Sequence, residues 1–160
     1  MIIKKKNIYL LLILFFISII LIVAYLIQHV LGHEPCRLCI YERIPYIISI
    51  FLIPLVLFKQ KYEKVILFIL FIIFILSTLL SFYHFGIEQG FFEELSICGN
   101  DNFSNTLSKE QLLEQLNKSN ISCKNVDFKL FGLSLASINT IFSFLLSVIF
   151  LKLFLNYGKN

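Results

Sequence analysis

Four long apolar runs set the strongest limit on how this chain can fold. They cover residues 8–28, 40–58, 65–85 and 130–151, and each is close in length to the roughly 20 residues that a helix needs to cross a bilayer. Charged residues make up 15% of the chain, well below the roughly 25% of a soluble globular domain. The sequence therefore predicts an all-α membrane protein, a bundle of four transmembrane helices in a single domain over residues 1–160.

The first run could also be a signal peptide, because three lysines at residues 4–6 precede it. Its 21 uncharged residues exceed the apolar core of a signal peptide, which has about 7–15 residues, and no A-x-A-like cleavage site follows. These features predict a retained transmembrane helix.

The second run contains two prolines and begins at a Cys-x-x-Cys motif. Residues 40–58 number 19, whereas a span starting at Pro45 would have 14, which is short for a membrane helix. Length therefore places the motif at the membrane boundary, at the start of the second helix. Because proline removes a backbone donor and clashes with the carbonyl four residues earlier, Pro45 and Pro54 predict a kink or a loosened first turn.

The basic residues predict the orientation of the bundle. Eight of the 14 lysines and arginines lie in the N-terminal tail, the connector at residues 59–64 and the C-terminal tail. The long segment at residues 86–132 holds four lysines against seven acidic residues. Both termini are therefore expected in the cytoplasm, with all four cysteines on the outer face, where a bacterial periplasm would permit disulfides. The net charge of +4 forms no basic stripe, which argues against a nucleic-acid partner.

The long outer segment, residues 86–132, contains one helix signature. Ser108 and Gln111 match a capping box, and three leucines follow at helical spacing within residues 112–116. A short amphipathic helix is expected here. It either rests on the protein or bilayer surface or serves as a docking element for a partner.

The Cys-x-x-Cys motif is the strongest candidate for chemistry. If residues 36–43 form a helix, then Cys36, Cys39 and Arg43 share one face, because they are three and four residues apart. A helix N-terminus and the nearby Arg37 both favour a thiolate. Zinc ribbons need a second closely spaced pair, whereas the other two cysteines are 25 positions apart. The pattern favours redox chemistry over structural zinc or passive packing, and no metal site is predicted.

Cys98 and Cys123 lie in the polar outer segment, where a mutual disulfide is the ordinary expectation in an oxidising compartment. Four cysteines permit three pairings, and the sequence alone does not separate them. Such a bond could staple the segment or be exchanged during a reaction.

The ionisable residues at the ends of the spans could either face the membrane interface without a role in chemistry or belong to a functional site. His84 could face the membrane interface or take part in chemistry, and Glu88 is expected to be solvated. Glu42 and Arg43 could form an interfacial ion pair.

Three motifs together resemble the DsbB family, the disulfide bond formation protein B of bacterial inner membranes. They are PCRLCIYERIPY at residues 35–46, YHFGIE at residues 83–88 before the third cysteine, and FGLSLA at residues 131–136 after the fourth. Their order and spacing and the number of spans correspond over nearly the whole chain. The resemblance implies a four-helix bundle that reoxidises DsbA, a periplasmic thioredoxin-like dithiol oxidase, and passes two electrons to ubiquinone or menaquinone.

The resemblance also implies a role for each cysteine. Cys98 would be attacked by the partner's thiolate to give a mixed disulfide, with Cys123 released. Cys36 would then exchange with this outer pair, and Cys39 would be the thiolate that faces the quinone. Arg43 matches the arginine associated with quinone binding, where its charge could hold that thiolate and polarise a quinone oxygen.

His84 matches a histidine near the same quinone site. Phe91, Phe92 and Phe128 stand where many relatives have tryptophans, and this chain has no tryptophan at all. Phenylalanine keeps apolar area but lacks the indole donor, so the difference concerns packing at the membrane surface more than electron flow.

Two other functions stay open at this point. One is a related four-helix thiol oxidoreductase that serves a dedicated partner or runs in the reducing direction, as vitamin K epoxide reductase-like proteins do. Those proteins usually place the quinone-side Cys-x-x-Cys after the loop cysteines. Here the pair comes first in the chain, and this order disfavours the reducing alternative. The other is a non-enzymatic membrane scaffold with stapled loops.

Overall fold

The structure, a computed structural model, describes residues 2–32, 35–93, 123, 129–130 and 132–157. Four of its segments are long and apolar enough to cross a membrane: Lys6–His29, Arg37–Phe58, Glu63–Glu88 and Leu135–Leu155. The predicted all-α architecture of four membrane-spanning segments is confirmed. The amphipathic helix predicted around residues 108–116 lies outside the described residues.

The elements follow one another with short connections. The first half contains α1 (Ile2–His29), α2 (Arg37–Tyr41) and α3 (Ile44–Phe58), and a 3-10 turn at Gln60–Tyr62 leads into α4 (Glu63–Glu88). The strands β1 (Lys129–Leu130) and β2 (Leu133–Ser134) form an antiparallel hairpin directly before α5 (Leu135–Leu155). The second membrane segment therefore consists of two helices, α2 and α3.

The interruption between α2 and α3 falls at Glu42 and Arg43, as Pro45 predicts. Pro45 has no N–H to donate to the carbonyl four residues earlier, so regular α-helical bonding cannot pass through this point. The Arg43 N–H instead bonds to the Ile40 carbonyl at 3.1 Å, which tightens the turn. α3 then continues through Pro54 to its end.

The core of the bundle is apolar and aromatic. α4 and α5 pack against each other most extensively, and α1 packs chiefly on α3. Phe74 of α4 stacks on Phe150 of α5, and Tyr46 of α3 meets Phe74 edge-on, each with ring centroids 5.5 Å apart. The buried members of this core are Leu10, Ile17, Leu21, Tyr46, Ile53, Val56, Ile66, Leu67, Leu70, Phe74, Leu146 and Phe150.

Each long helix also exposes large apolar side chains on the face away from the core. Phe15 of α1, Phe51 of α3, Leu76 of α4 and Phe144 of α5 are all more than half exposed. Helices that are apolar on every side are stable in lipid rather than in water. Together with the four spans, these faces make the chain a multi-pass membrane protein.

The fourth span begins at Leu135, five residues later than the apolar run predicts, and ends at Leu155. Gly132 has a φ of +82°, in the left-handed region that favours glycine, and turns the hairpin that occupies the start of the run. The Ser134 Oγ accepts a hydrogen bond from the Ser137 N–H at 3.2 Å and so caps α5. These two residues, rather than hydrophobicity, set the start of the helix.

The chain folds back on α4 immediately after that helix ends. Gly90, with a φ of +77°, reverses the backbone, and the Phe92 N–H bonds to the Gly86 carbonyl at 3.3 Å. A Cβ atom at Gly86 would lie 2.1 Å from the Phe92 ring, so the close contact requires glycine there. Phe92 also stacks on Tyr83 with ring centroids 5.4 Å apart. Phenylalanine at this position therefore packs directly on the end of α4.

Candidate functional site

A set of buried polar side chains lies at the end of the bundle where α2 begins, α4 ends and α5 begins. Cys36, Glu42, Ser81, His84 and Ser134 are each at most 6% exposed. Polar groups buried within a membrane bundle are costly and mark functional sites. This end of the bundle is therefore the candidate site.

Cys36 and Cys39 lie side by side at the start of α2. Cys36 is the N-cap of the helix, and its Sγ accepts a hydrogen bond from the Cys39 N–H at 3.2 Å. The two Sγ atoms are 2.6 Å apart, and neither thiol is in a disulfide. Because a disulfide bond is about 2.0 Å long, a small side-chain rotation is enough to close the pair into one.

His84 of α4 links the thiol pair to the interior of the bundle. Its Nε2 lies 3.5 Å from the Cys36 Sγ, and its Nδ1 lies 2.7 Å from the Glu42 Oε1. The hydrogen bond from Cys39, helped by His84, lowers the pKa of the Cys36 thiol to about 5 against the opposing effect of burial. This geometry therefore favours Cys36 as the thiolate of the reduced pair.

Glu42 joins His84 to α3 and α5. Its Oε2 accepts a hydrogen bond from the Asn139 Nδ2 at 2.8 Å, and the same amide group donates to the Ser81 Oγ at 2.6 Å. The Asn139 Oδ1 accepts from the Tyr46 hydroxyl at 2.5 Å. Both oxygen atoms of Glu42 are thus directed to the bundle interior. The alternative of an interfacial ion pair with the arginine next to it is not observed.

The hydrogen-bonded network continues toward the middle of the bundle. The Tyr46 hydroxyl lies 3.0 Å from the Ser143 Oγ, which lies 3.1 Å from the Ser77 Oγ. Because no water competes in the hydrocarbon core, such groups have to find partners within the protein. The network therefore ties α3, α4 and α5 together beneath the thiol pair.

Arg43 is held by α1. Its Nη1 donates a hydrogen bond to the Gln28 Oε1 at 2.6 Å, and its guanidinium carbon lies 5.2 Å from the centroid of the Tyr25 ring. The condition that residues 36–43 form one helix is not met, because α2 ends at Tyr41 and the turn that Pro45 predicts follows it. Two adjacent side chains, Glu42 and Arg43, thus bond to different helices.

Cys123 lies in the same buried cluster as the thiol pair. Its side chain is 2% exposed and belongs to a cluster with Cys36 and Ile87, against which Cys39 packs. Cys123 is disulfide-bonded, whereas Cys36 and Cys39 are free thiols. The site therefore combines one disulfide sulfur with a reduced pair. Cys98 lies outside the described residues.

The side chain of Glu88 is largely enclosed, although the residue as a whole is only half-buried, which corrects the expectation that it is solvated. Its side chain is 6% exposed, and its Oε1 lies 3.8 Å from the His84 Nε2, one helical turn earlier on the same face of α4. Its Oε2 is buried and has no hydrogen-bond partner within the described part of the chain. An ionisable group at the end of a span has in this case been enclosed by the site.

Comparison with known proteins places the chain in a family. The model of the family described as "Disulfide bond formation protein DsbB" matches residues 6–153. The chain belongs to the DsbB family. It is also 33% identical over 152 residues to a Rickettsia prowazekii (strain Madrid E) protein described as "Uncharacterized protein RP370", a match covering 93% of this chain and 88% of that protein. As a DsbB family member, the chain is a membrane protein of disulfide bond formation and a thiol oxidoreductase.

The structure brings together three of the residues predicted for a DsbB-type site. The sulfur atoms of Cys36 and Cys39 and a ring nitrogen of His84 lie within 4.8 Å of one another. Cys123 adjoins them through the buried cluster, and Arg43 stands apart against α1. The individual roles of these residues, including a thiolate at Cys39, stay predictions.

Asn139, Tyr46 and Gln28 were not among the site residues predicted from the sequence. Asn139 could have been predicted, because its position inside an otherwise apolar span means that its amide needs a buried hydrogen-bond partner. Tyr46 and Gln28 could not, since a tyrosine in a span and a glutamine at its end are both common at membrane boundaries. Their contacts depend on how α1, α3 and α5 pack, which the apolar runs do not specify.

Proposed function

We propose that this chain is a membrane thiol oxidase that reoxidises a periplasmic thioredoxin-like dithiol oxidase of the DsbA type and passes the electrons to a membrane quinone. The observation that carries the proposal is the shared buried cluster of disulfide-bonded Cys123 and the reduced Cys36/Cys39 pair. Thiol exchange needs a thiolate within reach of a disulfide sulfur, which this arrangement supports. A scaffold with stapled loops gives no reason for a free thiol pair in that position.

The proposed topology puts both termini in the cytoplasm and the thiol cluster on the periplasmic side. The connector at residues 59–64, with its lysines, joins α3 to α4 at the end of the bundle away from Cys36. Basic loops stay cytoplasmic, and the redox cysteines then face the compartment in which disulfides persist.

The first half of the proposed reaction takes place at an outer disulfide between Cys98 and Cys123. The partner's thiolate attacks the Cys98 sulfur, the Cys98 to Cys123 bond breaks, and Cys123 leaves as a thiolate. The partner's second thiolate then displaces Cys98 from the mixed disulfide. The partner leaves oxidised, and the outer pair holds the two electrons.

The second half moves these electrons to the Cys36/Cys39 pair. Cys123 attacks Cys36 of a Cys36/Cys39 disulfide and releases Cys39, and Cys98 then displaces Cys36 to restore the outer disulfide. The products are an outer disulfide and two inner thiols. A bound quinone supplies the acceptor for the two electrons and two protons that the inner pair loses when it closes to a disulfide.

His84 and Glu42 are proposed to handle the proton of Cys36. With its Nδ1–H donated to the Glu42 Oε1 at 2.7 Å, the imidazole presents Nε2 to the sulfur at 3.5 Å. Nε2 can then accept the thiol proton, and the carboxylate behind it orients the ring and balances its charge.

Arg43 has surroundings that fit a quinone head group. Its guanidinium is fixed between Gln28 and Tyr25 and still offers N–H donors of the kind that bind a carbonyl oxygen. The neighbouring Ile40 and Ile44 are 50% and 43% exposed at the lipid boundary. A fixed donor beside apolar side chains is the usual composition of a small-molecule site.

The proposal is tested with the purified full chain in detergent, a reduced DsbA-type partner and ubiquinone. One quinone should be consumed for each partner disulfide formed, and Cys39→Ser should reduce this rate to the background of protein-free samples. Quinone absorbance and partner thiols are measured in parallel, with an oxidised partner as the control. Continued turnover by Cys39→Ser would remove Cys39 from its assigned role.

A trapping experiment separates this function from its alternatives. Acid quenching followed by alkylation should capture a partner joined to the chain through Cys98, identified by mass spectrometry. A scaffold would give no such adduct and no change in thiol state when quinone is depleted. A chain that reduces the oxidised partner in the presence of quinol would instead run in the opposite direction.

A further inference from the structure

Two donor atoms of the thiol site already stand at the spacing of zinc ligands. A tetrahedral zinc ion with bonds of about 2.3 Å to sulfur and about 2.0 Å to nitrogen holds these atoms about 3.5 Å apart. The Cys36 Sγ and the His84 Nε2 are 3.5 Å apart. Opening the Cys36 and Cys39 sulfurs from 2.6 Å to about 3.8 Å by side-chain rotation would add the third ligand.

Glu88 supplies an independent observation that points to a ligand at the same place. Its side chain is 6% exposed, and its Oε1 approaches the His84 Nε2 to 3.8 Å. Its Oε2 is buried without a hydrogen-bond partner in the described part of the chain. Ser134 hydrogen-bonds to this carboxylate, but its second oxygen, Oε2, stays unpaired among the described residues, which is costly in an apolar environment, and a cation bound beside His84 would offset the negative charge.

The outer hydrogen bonds also match those of a metal-bound histidine. A ligating imidazole almost always donates its other N–H to a carboxylate or carbonyl, which fixes the ring and raises its basicity. The Glu42 Oε1 takes this position, 2.7 Å from the His84 Nδ1. The ring nitrogen that faces the sulfurs is therefore the one free to bind a metal.

We propose that Cys36, Cys39 and His84 bind a zinc ion when the thiol pair is reduced, with Glu88 beside the site as an added negative charge, and that the bound zinc withholds the dithiol from oxidation. Two thiolates and an imidazole select zinc over magnesium or calcium, which prefer oxygen ligands. An oxidised pair has no thiolate to donate to the metal, so only the reduced dithiol form binds zinc. Sequence spacing gives no sign of this site, because His84 is 48 positions from Cys36. Binding itself is independent of the proposed thiol oxidase activity, whereas the inhibition rests on it.

Cobalt(II) is the probe for the binding test, because it takes zinc sites and reports its ligands by absorption. Reduced full chain in detergent micelles, freed of reductant, should bind one cobalt per chain with thiolate charge-transfer bands and the intense visible bands of a tetrahedral site. Zinc should displace it. The same protein with Cys36 and Cys39 oxidised should show neither set of bands, and equal spectra in the two redox states would overturn the site.

Variants then assign the ligands. Glu88→Gln should weaken cobalt binding by about tenfold or more, whereas Glu93→Gln, the same change at an exposed glutamate beyond α4, should leave it unchanged. His84→Ala should weaken binding at least as much and alter the visible bands. The double variant Cys98→Ser, Cys123→Ser removes the outer thiols and should keep the full cobalt spectrum. Unchanged affinity in His84→Ala would overturn the site, unchanged affinity in Glu88→Gln would remove Glu88 from the site's surroundings, and loss of the spectrum in the double variant would move the site away from Cys36.

The functional arm uses zinc with the purified chain, the reduced partner and ubiquinone. Partner oxidation should fall in proportion to zinc occupancy and return when a chelator removes the metal. A chain that binds cobalt but oxidises no partner would refute the proposed function and leave the metal site standing. A chain that oxidises its partner but binds no cobalt when reduced would refute the metal site alone.

Discussion

Two buried carboxylates, Glu42 and Glu63, stand at opposite ends of the bundle and have different partners. Glu63 begins α4, is 3% exposed, and forms an ion pair with Lys6 of α1, whose side chain is 30% exposed. Glu42 is 6% exposed and bonds to His84 and Asn139. Both groups have lost most of their hydration, so burial alone does not distinguish them.

The partner decides what each carboxylate can do. The Lys6 ammonium neutralises Glu63 and can reach the membrane surface with its flexible stem, which makes this pair a structural link between α1 and α4. His84 carries a second ring nitrogen that faces the Cys36 thiol, so the charge of Glu42 is transmitted through the ring to that sulfur. The comparison predicts that substitutions at the Glu63 end change stability, whereas substitutions at the Glu42 end change thiol chemistry.

Replacing His84 should give the largest effect. In His84→Gln the amide keeps a hydrogen bond to Glu42 but cannot accept the proton of Cys36, and the rate of partner oxidation should fall about 100-fold. Glu63→Gln, at the opposite end, should leave the rate per folded molecule unchanged. Quinone-dependent partner oxidation, normalised to folded protein, provides the measurement. If His84→Gln and Glu63→Gln lowered the rate of partner oxidation equally, the two ends of the bundle would not differ in function.

Removing the Glu63 carboxylate should give the next largest effect. Glu63→Ala leaves Lys6 near the bundle without its partner, and the free energy of unfolding should fall by about 2 kcal/mol, less than for a fully buried pair because Lys6 stays partly exposed. Unfolding in mixed detergent micelles measures this change. Glu93→Ala, at an exposed glutamate, should leave stability within about 0.5 kcal/mol of the parent. A similar loss in Glu93→Ala would show that charge removal, not ion pairing, is responsible.

The ionisation of Cys36 provides the third test. Its pKa of about 5 keeps the thiolate populated at neutral pH, so alkylation of the reduced, chelator-treated protein should be half-maximal near pH 5 and slow as the pH falls further. His84→Gln should raise this midpoint by about one pH unit, so the alkylation rate at pH values below the midpoint should fall about tenfold. Pulsed alkylation with mass spectrometry follows the site. A midpoint near that of a free thiol, about 8.5, would contradict the geometry.

The smallest effect is expected from the hydrogen-bonded network below Glu42. Tyr46→Phe removes the hydroxyl that bonds to Asn139 and Ser143, and the unfolding free energy should fall by about 1 kcal/mol. Tyr9→Phe, at a tyrosine of α1 that is 61% exposed, is the matched control and should change nothing measurable. If both variants unfold at the same detergent composition as the parent, the network adds no stability.

The spans could be predicted because lipid imposes one length and one composition on each of them. The start of α5 could not, since the apolar run continues through the hairpin that Gly132 turns. The Cys-x-x-Cys pair was found from its spacing, and the loosened turn after it from Pro45. The opposite directions of Glu42 and Arg43 were missed, because a two-residue interruption changes which helix each side chain meets.

The burial of Glu88 shows a second limit of sequence reasoning. Hydrophobicity around residue 88 matches that of any span end, and a solvated glutamate is the ordinary outcome there. Its carboxylate forms a hydrogen bond with Ser134, the N-cap of α5, so the start of that helix lies beside it. This contact joins residues 46 positions apart and leaves no periodic signal in the sequence.

The attachment of Arg43 to α1 has a consequence for how such a protein can diverge. The thiol cluster is built on α2, α4 and α5, whereas Arg43 is positioned by Gln28 and Tyr25 on a helix that packs chiefly on α3. Substitutions accumulating on the inner face of α1 can therefore reshape the surroundings of this arginine while the cysteines keep their positions. If the proposed quinone transfer holds, DsbB family members that use different quinones are expected to keep their cysteine positions and to differ mainly in the first helix.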